Sequence, residues 1–272
     1  MRIVNITDQE FWQIVNLLKN SYGINLSQKK NLIAGRLQNY ISRSQFNTFT
    51  EFYDHVINDK TGEAITLLID KLTTNYTYFL REIEHYDFFN STVLPHIIST
   101  EKNRDMRIWS AGCSSGEEAY TIAMYVDEFF KGNRNGWDTK ILATDISERV
   151  LTLASEGVYL SESLEPLKPE WRKSYFKKID NDNSQVIESL RREILFRKFN
   201  LMERNLPFKK KFHIIWCRNV MIYFDLQTKN ELVERFYDVT EPGGYMFIGH
   251  SESVTRGETR YRYVMPAIYR KE

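Results

Sequence analysis

Residues 106–118 read MRIWSAGCSSGEE, an apolar run, a turn built only from small residues, and two acids. Gly112 and Gly116 carry no Cβ, so the chain can turn sharply and lie close to a ligand, and Ala111, Ser114 and Ser115 keep that wall low. Ala119, Ile122, Ala123 and Val126 then recur at helical spacing. The pattern is strand, glycine loop, helix, and it commits this part of the chain to an open α/β sheet. A second apolar run, Lys140 to Asp145, ends on an acid. A carboxylate at that strand end is placed to accept hydrogen bonds from ribose hydroxyls.

The loop restricts the nucleotide. Gly112-x-x-x-Gly116 is not G-x-G-x-x-G, and Asp145 lies farther on than the roughly 20 residues of the dinucleotide fingerprint. No G-x-x-x-x-G-K-[ST] is present, which argues against a phosphate cradle for ATP or GTP. Glu117 and Glu118 open the helix, where they would repel a pyrophosphate and attract a cation. S-adenosylmethionine, with a sulfonium and an ammonium and no phosphate, meets that requirement. The same acids would also favour the helix dipole with no ligand at all.

The chain has 272 residues, 42% of them hydrophobic, enough for one large or two modest domains with a core. A formal net charge of +1 gives no case for nucleic acid as partner. With only Cys113 and Cys217, no disulfide framework exists, and no Cys/His cluster has zinc spacing, so no metal is expected. No apolar run reaches the ~18 residues of a membrane span, and the N-terminus lacks a signal-peptide core. A soluble cytoplasmic protein, without membrane insertion and acting as a monomer, is the expectation.

Residues 1 to about 70 read as helical. Thr7 and Glu10 make a capping box, Ser27 precedes a second helix, and Thr48 or Thr50 a third. An aromatic-rich segment over 71–92 leads into alternating strands and helices from about 104. Glu193–Phe199 and Phe212–Cys217 read as strands, 226–239 as a helix, and Glu241-Pro-Gly-Gly244 as a turn into a strand over Tyr245–His250. A last strand is expected between Tyr261 and Tyr269.

Arg81 could grip a carboxylate, and Arg218-Asn219 follows a buried-looking strand at the end where open sheets bind ligands. Tyr223 lies in an apolar run and reads equally as core. His213 and Cys217 read as packed core residues. Residues 11–50 contain Lys19, Lys29, Lys30, Arg36 and Arg43 and no acid. Lys29, Arg36 and Arg43 are seven apart, which would put them on one helix face as a basic stripe for an acidic partner.

Taken together, TTNYTYFLRE, WSAGCSSGEEAYTIAM, LATDIS, FNLM, FHIIWCRNVMIYFD and PGGYMFIGHSES, in that order, resemble the CheR family over nearly the whole chain. These chemotaxis methyltransferases esterify glutamate side chains of chemoreceptors with S-adenosylmethionine, releasing S-adenosylhomocysteine. The resemblance implies an all-α N-terminal domain over 1–72 and a connecting segment, 73–92, that contributes to the active site. It further implies a Rossmann-like α/β methyltransferase domain over 93–272, with a small antiparallel β-subdomain inserted at about 175–200. By motif match, cofactor contacts fall on Asn75, Thr77, Arg81, Glu118 (or its neighbour Glu117), Asp145, Asn200, Leu201, Arg218 and Asn219. Arg81 and Tyr223 fall at the transfer centre. The implied partner is the cytoplasmic coiled coil of a chemoreceptor, rich in glutamate, which the stripe Lys29, Arg36 and Arg43 would meet. Some members dock a receptor C-terminal pentapeptide on a glycine-bearing loop of the β-subdomain. Here Lys177–Ser184 has no glycine and is short, which counts against such a tether.

The residues alone leave other classes open. A methyltransferase acting on a nucleic-acid base is opposed by the neutral charge and the lack of a D/N-P-P-Y/F motif. A non-catalytic S-adenosylmethionine sensor is opposed by the presence of Arg81 and Tyr223, and a nicotinamide oxidoreductase by the loop.

Overall fold

The computed structural model describes residues 4–255 and 257–272. The chain opens with four helices, α1 (Asp8–Tyr22), α2 (Lys30–Ile41), α3 (Phe49–Asn58) and α4 (Glu63–Leu72). The Thr7 hydroxyl accepts from Glu10 N while the Glu10 carboxylate accepts from Thr7 N, the reciprocal cap expected from sequence. The other Glu10 oxygen reaches the first turn of α3, accepting from Thr50 N at 2.9 Å and Thr50 Oγ1 at 2.8 Å. One acid thus starts a helix and fastens another to it. Phe11, Ile14, Leu18, Ile33, Leu37, Phe49, Phe52 and Leu68 fill the space between the four helices.

After the segment 73–82, α5 (Ile83–Phe88), a π-helical turn over 89–93 and α6 (Leu94–Thr100) lead into the sheet. Its elements are β1 (Ile108–Ala111), α7 (Glu117–Phe130), β2 (Ile141–Asp145) and α8 (Glu148–Glu156). Next, β3 (Val158–Leu160), α9 (Pro169–Tyr175), β4 (Phe176–Lys178), β5 (Asn183–Val186) and α10 (Glu188–Arg191) form an excursion. The chain then returns with β6 (Ile194–Lys198), β7 (Phe212–Cys217), α11 (Leu226–Asp238), β8 (Thr240–Ile248), β9 (Arg262–Met265) and β10 (Ile268–Arg270). The main sheet runs β6-β2-β1-β7-β8-β10-β9, parallel through β8 and antiparallel beyond it. β1 and β7 are buried along their whole length, as befits strands covered by helices on both faces.

Three local expectations need correction. The small antiparallel sheet, β3-β5-β4, spans 158–186 rather than about 175–200, and Ile194–Lys198 belongs to the edge of the main sheet, in parallel register with β2. β3, β4 and β5 have only three or four residues each, too short for their pairing to be read without their partners. Glu241–Gly244 is the start of β8 itself, where the register against β7 shifts and Gly243 takes φ 80°. The stretch between Tyr261 and Tyr269 is a hairpin of two strands rather than one, turning at Ala267 with φ 64°.

Candidate active site

The carboxyl ends of β1, β2 and β7 meet the segment 73–82 and the helical domain around one cavity, enclosing about 1010 Å³ with its open mouth included. Asn75, Thr77, Arg81, Glu118, Asp145, Asn200, Leu201, Arg218, Asn219 and Tyr223 all line it. Ten residues scattered over most of the chain are therefore brought to one place. Glu117 is not among the lining residues, and its carboxylate accepts from its neighbour Ser115 Oγ at 2.8 Å.

The glycine loop sits where it does because β2 holds it. Gly112 N and Cys113 N both donate to the Thr144 carbonyl, at 2.8 and 2.9 Å, and Ser114 N donates to the Asp145 carboxylate at 2.9 Å. Gly112 has φ 94°, and a Cβ there would lie 2.3 Å from Val220 Cγ2, so only glycine fits between β1 and the loop after β7. The second Asp145 oxygen accepts from Ser147 N at 3.0 Å, which ties the acid to the start of α8.

Arg218 is 5% exposed. It donates to Glu82 at 3.1 Å, to Glu118 at 3.2 Å and to the Tyr86 hydroxyl at 3.1 Å, and also to the Arg81 carbonyl. Its guanidinium lies 5.5 Å from the ring centres of Tyr86 and Trp216. Two carboxylates face the Arg218 guanidinium, and the lining adds the Asp145 carboxylate and the Arg81 guanidinium. Burial pushes the carboxyls of Glu118 and Asp145 up, and Arg218 opposes that shift at Glu118. A cation entering the cavity relieves the cost of holding these charges out of water.

Most of the expected contacts also have partners within the protein, and the Asn75 side chain donates to Asp70 at 3.1 Å. The Asn200 side chain donates to Ser21 O at 2.8 Å, joining the sheet domain to α1. The Tyr223 hydroxyl accepts from Thr74 N at 2.9 Å, so it also anchors the segment 73–82. Ser114 Oγ donates to Asn75 O at 2.8 Å from the other side. Arg81 is held loosely by comparison, donating to Tyr76 O at 3.0 Å with its guanidinium 5.7 Å from the Tyr78 ring centre.

The basic stripe does not exist as one helix face. α2 covers only 30–41, with Lys29 at its N-terminal boundary and Arg43 beyond its end. Asn25 turns the chain before it by accepting from Ser27 N, and Ser42 and Ser44 draw the last carbonyls into side-chain hydrogen bonds after it. Arg36 points to the cavity wall instead, donating to Thr73 O at 3.0 Å, Lys71 O at 3.3 Å and Thr74 Oγ1 at 3.3 Å. Lys30 pairs with Asp8, and Lys19 lies 3.0 Å from Asp225. Lys29 and Arg43 are exposed.

Several residues of this site escaped the sequence reading. Glu82 and Tyr86 complete the surroundings of Arg218. Glu252 is buried and accepts from Asn219 N at 2.9 Å, Ile222 N at 3.1 Å and Gly249 N at 2.6 Å, organising the whole loop after β7. Glu82 and Glu252 stood within the quoted motifs, but only pairing across the fold shows what they hold. His213 and Cys217 are buried as expected.

A mostly parallel sheet, a glycine loop over an acidic helix start, and an acid closing the second strand define a Rossmann-like, nucleoside-cofactor-dependent methyltransferase. Residues 75–269 match the CheR methyltransferase, SAM binding domain, and residues 9–73 the CheR methyltransferase, all-alpha domain. The chain belongs to the CheR methyltransferase family. It is 43% identical to the chemotaxis protein methyltransferase of Borreliella burgdorferi, over 98% of this chain and 96% of that one. Similarity extends to a probable chemotaxis protein methyltransferase of Rhizobium etli, at 35% over 94% of this chain and all of that one. Chemotaxis protein methyltransferase 2 of Pseudomonas aeruginosa is 34% identical, over 97% and 93%. S-adenosylmethionine is the cofactor, and Glu118 and Asp145 put carboxylates on the lining of the cavity. Among the described residues no helix is long and apolar enough to cross a membrane.

Replacing Asp145 by alanine is expected to weaken S-adenosylmethionine binding by about 1–3 kcal/mol, the usual cost of losing hydrogen bonds to a charged acceptor. Titration calorimetry checks this, and unchanged affinity would move the ribose elsewhere.

Proposed function

We propose that this protein transfers a methyl group to glutamate side-chain carboxylates of chemoreceptors, forming methyl esters in sensory adaptation. The observation that carries the reading is the convergence of the family-matched residues on one cavity that presents Arg81 beside Glu118 and Asp145. Bound there, S-adenosylmethionine supplies an electrophilic methyl carbon. A glutamate acceptor is already ionised at neutral pH, so no general base is needed. Arg81 orients the acceptor carboxylate, Glu118 and Asp145 orient the cofactor, and Tyr223 and Ser114 hold the segment 73–82 over both. The work is alignment and exclusion of water rather than proton transfer. Strong charge stabilisation would bring no gain, since carboxylate and sulfonium neutralise one another as they react.

The acceptors are the cytoplasmic coiled coils of the receptors, which places the enzyme in the cytoplasm. The short, glycine-free β4–β5 connection, where Asp180 accepts from Asp182 N and Asn183 N, both at 2.8 Å, counts against a pentapeptide tether. The test of the function is incubation with methyl-labelled S-adenosylmethionine and receptor-bearing membranes. Label released by mild base is expected, because esters hydrolyse there. Base-stable label would indicate N-methylation or ether formation and end the ester reading.

Two variants separate the roles within this scheme. Tyr223→Phe removes the hydroxyl that fastens Thr74, and is expected to lower kcat while leaving cofactor affinity close to wild type. Reversing both Lys29 and Arg43 to Glu is expected to raise the receptor KM modestly and leave kcat alone. Exposed pairs contribute only about 0.2–1 kcal/mol each. Steady-state kinetics at low salt decides both, and an unchanged KM in the double reversal would remove this face from receptor recognition.

A further inference from the structure

Beside the cofactor cavity, next to Arg218, lies a group of three side chains of which only Glu82 supports the cavity wall. Glu82 precedes α5, His85 lies on α5, and His250 follows β8. A carboxylate oxygen of Glu82 and one ring nitrogen from each histidine lie within 4.8 Å of one another. His85 is fully buried, and neither of its ring nitrogens has a hydrogen-bond partner. Buried polar atoms are nearly always paired, so an imidazole with both nitrogens unmatched points to something that binds there. Its ring packs edge-on against Trp216 and Phe247, with centre distances of 6.3 and 5.8 Å, and lies 4.6 Å from the ring centre of His250. That packing fixes the imidazole from the core side. His250 is exposed and leaves a path to solvent.

We propose that Glu82, His85 and His250 form a binding site for a divalent transition metal of the zinc class, separate from the chemistry of methyl transfer. Two imidazoles and one carboxylate, with a side open to water, are the donor set such ions take, whereas magnesium and calcium prefer oxygen ligands alone. Ligands at about 2.1 Å in a tetrahedron stand roughly 3.4 Å apart. The Nδ1 of His85 is already 3.5 Å from Glu82 Oε2. Only His250 has to close in, and as an exposed side chain it can. Glu82 and His85 stand far from His250 along the chain, so no spacing motif joins the three in the sequence.

Occupancy has a consequence for the enzyme. Glu82 Oε2 is also the partner of Arg218 at 3.1 Å, and Glu82 Oε1 lies 3.4 Å from Asn219 Nδ2. A metal drawing on that carboxylate competes with both, loosens the cavity wall they form and adds positive charge beside a site for a cationic cofactor. The bound metal therefore inhibits.

The test uses the full-length protein, stripped with EDTA and desalted, and titrated with Co²⁺ as a spectroscopic probe. Visible d–d bands of a tetrahedral nitrogen–oxygen site, saturating at one equivalent and bleached by Zn²⁺, are expected. His250→Ala should lose the bands, with at least tenfold weaker binding, while its metal-free S-adenosylmethionine affinity stays at wild type. Zn²⁺ should raise the cofactor KM of the wild type and spare His250→Ala. Absence of bands, or bands unchanged in His250→Ala, overturns the site. Equal inhibition of both proteins overturns its link to the cofactor. The cobalt spectrum requires no turnover, so its outcome is independent of which acceptor is methylated.

Discussion

Replacing Arg218 by alanine is expected to cost about 3–5 kcal/mol of folding stability, the range for removing one partner of a buried charge network. The side chain is 2% exposed and faces the carboxylates of Glu82 and Glu118, each 13% exposed. Without it, two buried carboxylates face each other with no cation between them. The Arg81 carbonyl and the Tyr86 hydroxyl lose a donor as well. Denaturant unfolding measures the loss. A change below 1 kcal/mol would mean that water enters and replaces the guanidinium, and that the wall is softer than its packing implies. Cofactor affinity should fall in the same variant, because Glu118 takes up a proton more readily once Arg218 no longer opposes the effect of burial.

Glu252→Ala is expected to destabilise on the order of 3 kcal/mol, since a buried carboxylate that accepts from Asn219 N, Ile222 N and Gly249 N leaves three donors unmatched. Its effect on kcat should exceed what stability explains. Asn219 is held at φ 60°, a conformation that costs a non-glycine residue energy and persists only when its surroundings impose it. Releasing it also frees the turn that carries Tyr223. Glu252→Gln keeps one acceptor oxygen and should retain part of the activity. Rates measured at saturating cofactor, on protein shown to be folded by circular dichroism, separate the two effects. A folded Glu252→Ala with wild-type kcat would show that the loop keeps its shape unaided.

Much of this was legible in the residues. The capping box at Thr7 and Glu10, the glycine loop, the acid at the end of β2 and the Arg-Asn pair after β7 are local patterns whose meaning depends on a few neighbouring positions. Glycine spacing and strand-end acids work through backbone geometry, which short sequence windows specify well. The ten lining residues were found for that reason, together with the resemblance that supplied those without a local signature.

Charge was where local reading stopped. Lys29, Arg36 and Arg43 have helical spacing, yet serine side chains end α2 before Arg43, and Arg36 spends its donors on the carbonyls of 71 and 73. Spacing states which residues could share a face; it does not state whether the helix persists or where a long flexible side chain finds its partners. The same holds for Arg218, which reads as a ligand contact after a strand and proves to be the centre of a buried network with Glu82, Tyr86 and Glu118. The small sheet is misplaced in sequence for a related reason, because a three-residue strand such as β3 is defined by its hydrogen-bonded neighbour. Sequence by itself determined the class of fold, the loop that meets the cofactor and the chemistry that the cavity favours. Only the tertiary structure decided which carboxylate answers which cation, since Coulomb energy depends on distance and burial, and neither is written in the order of residues.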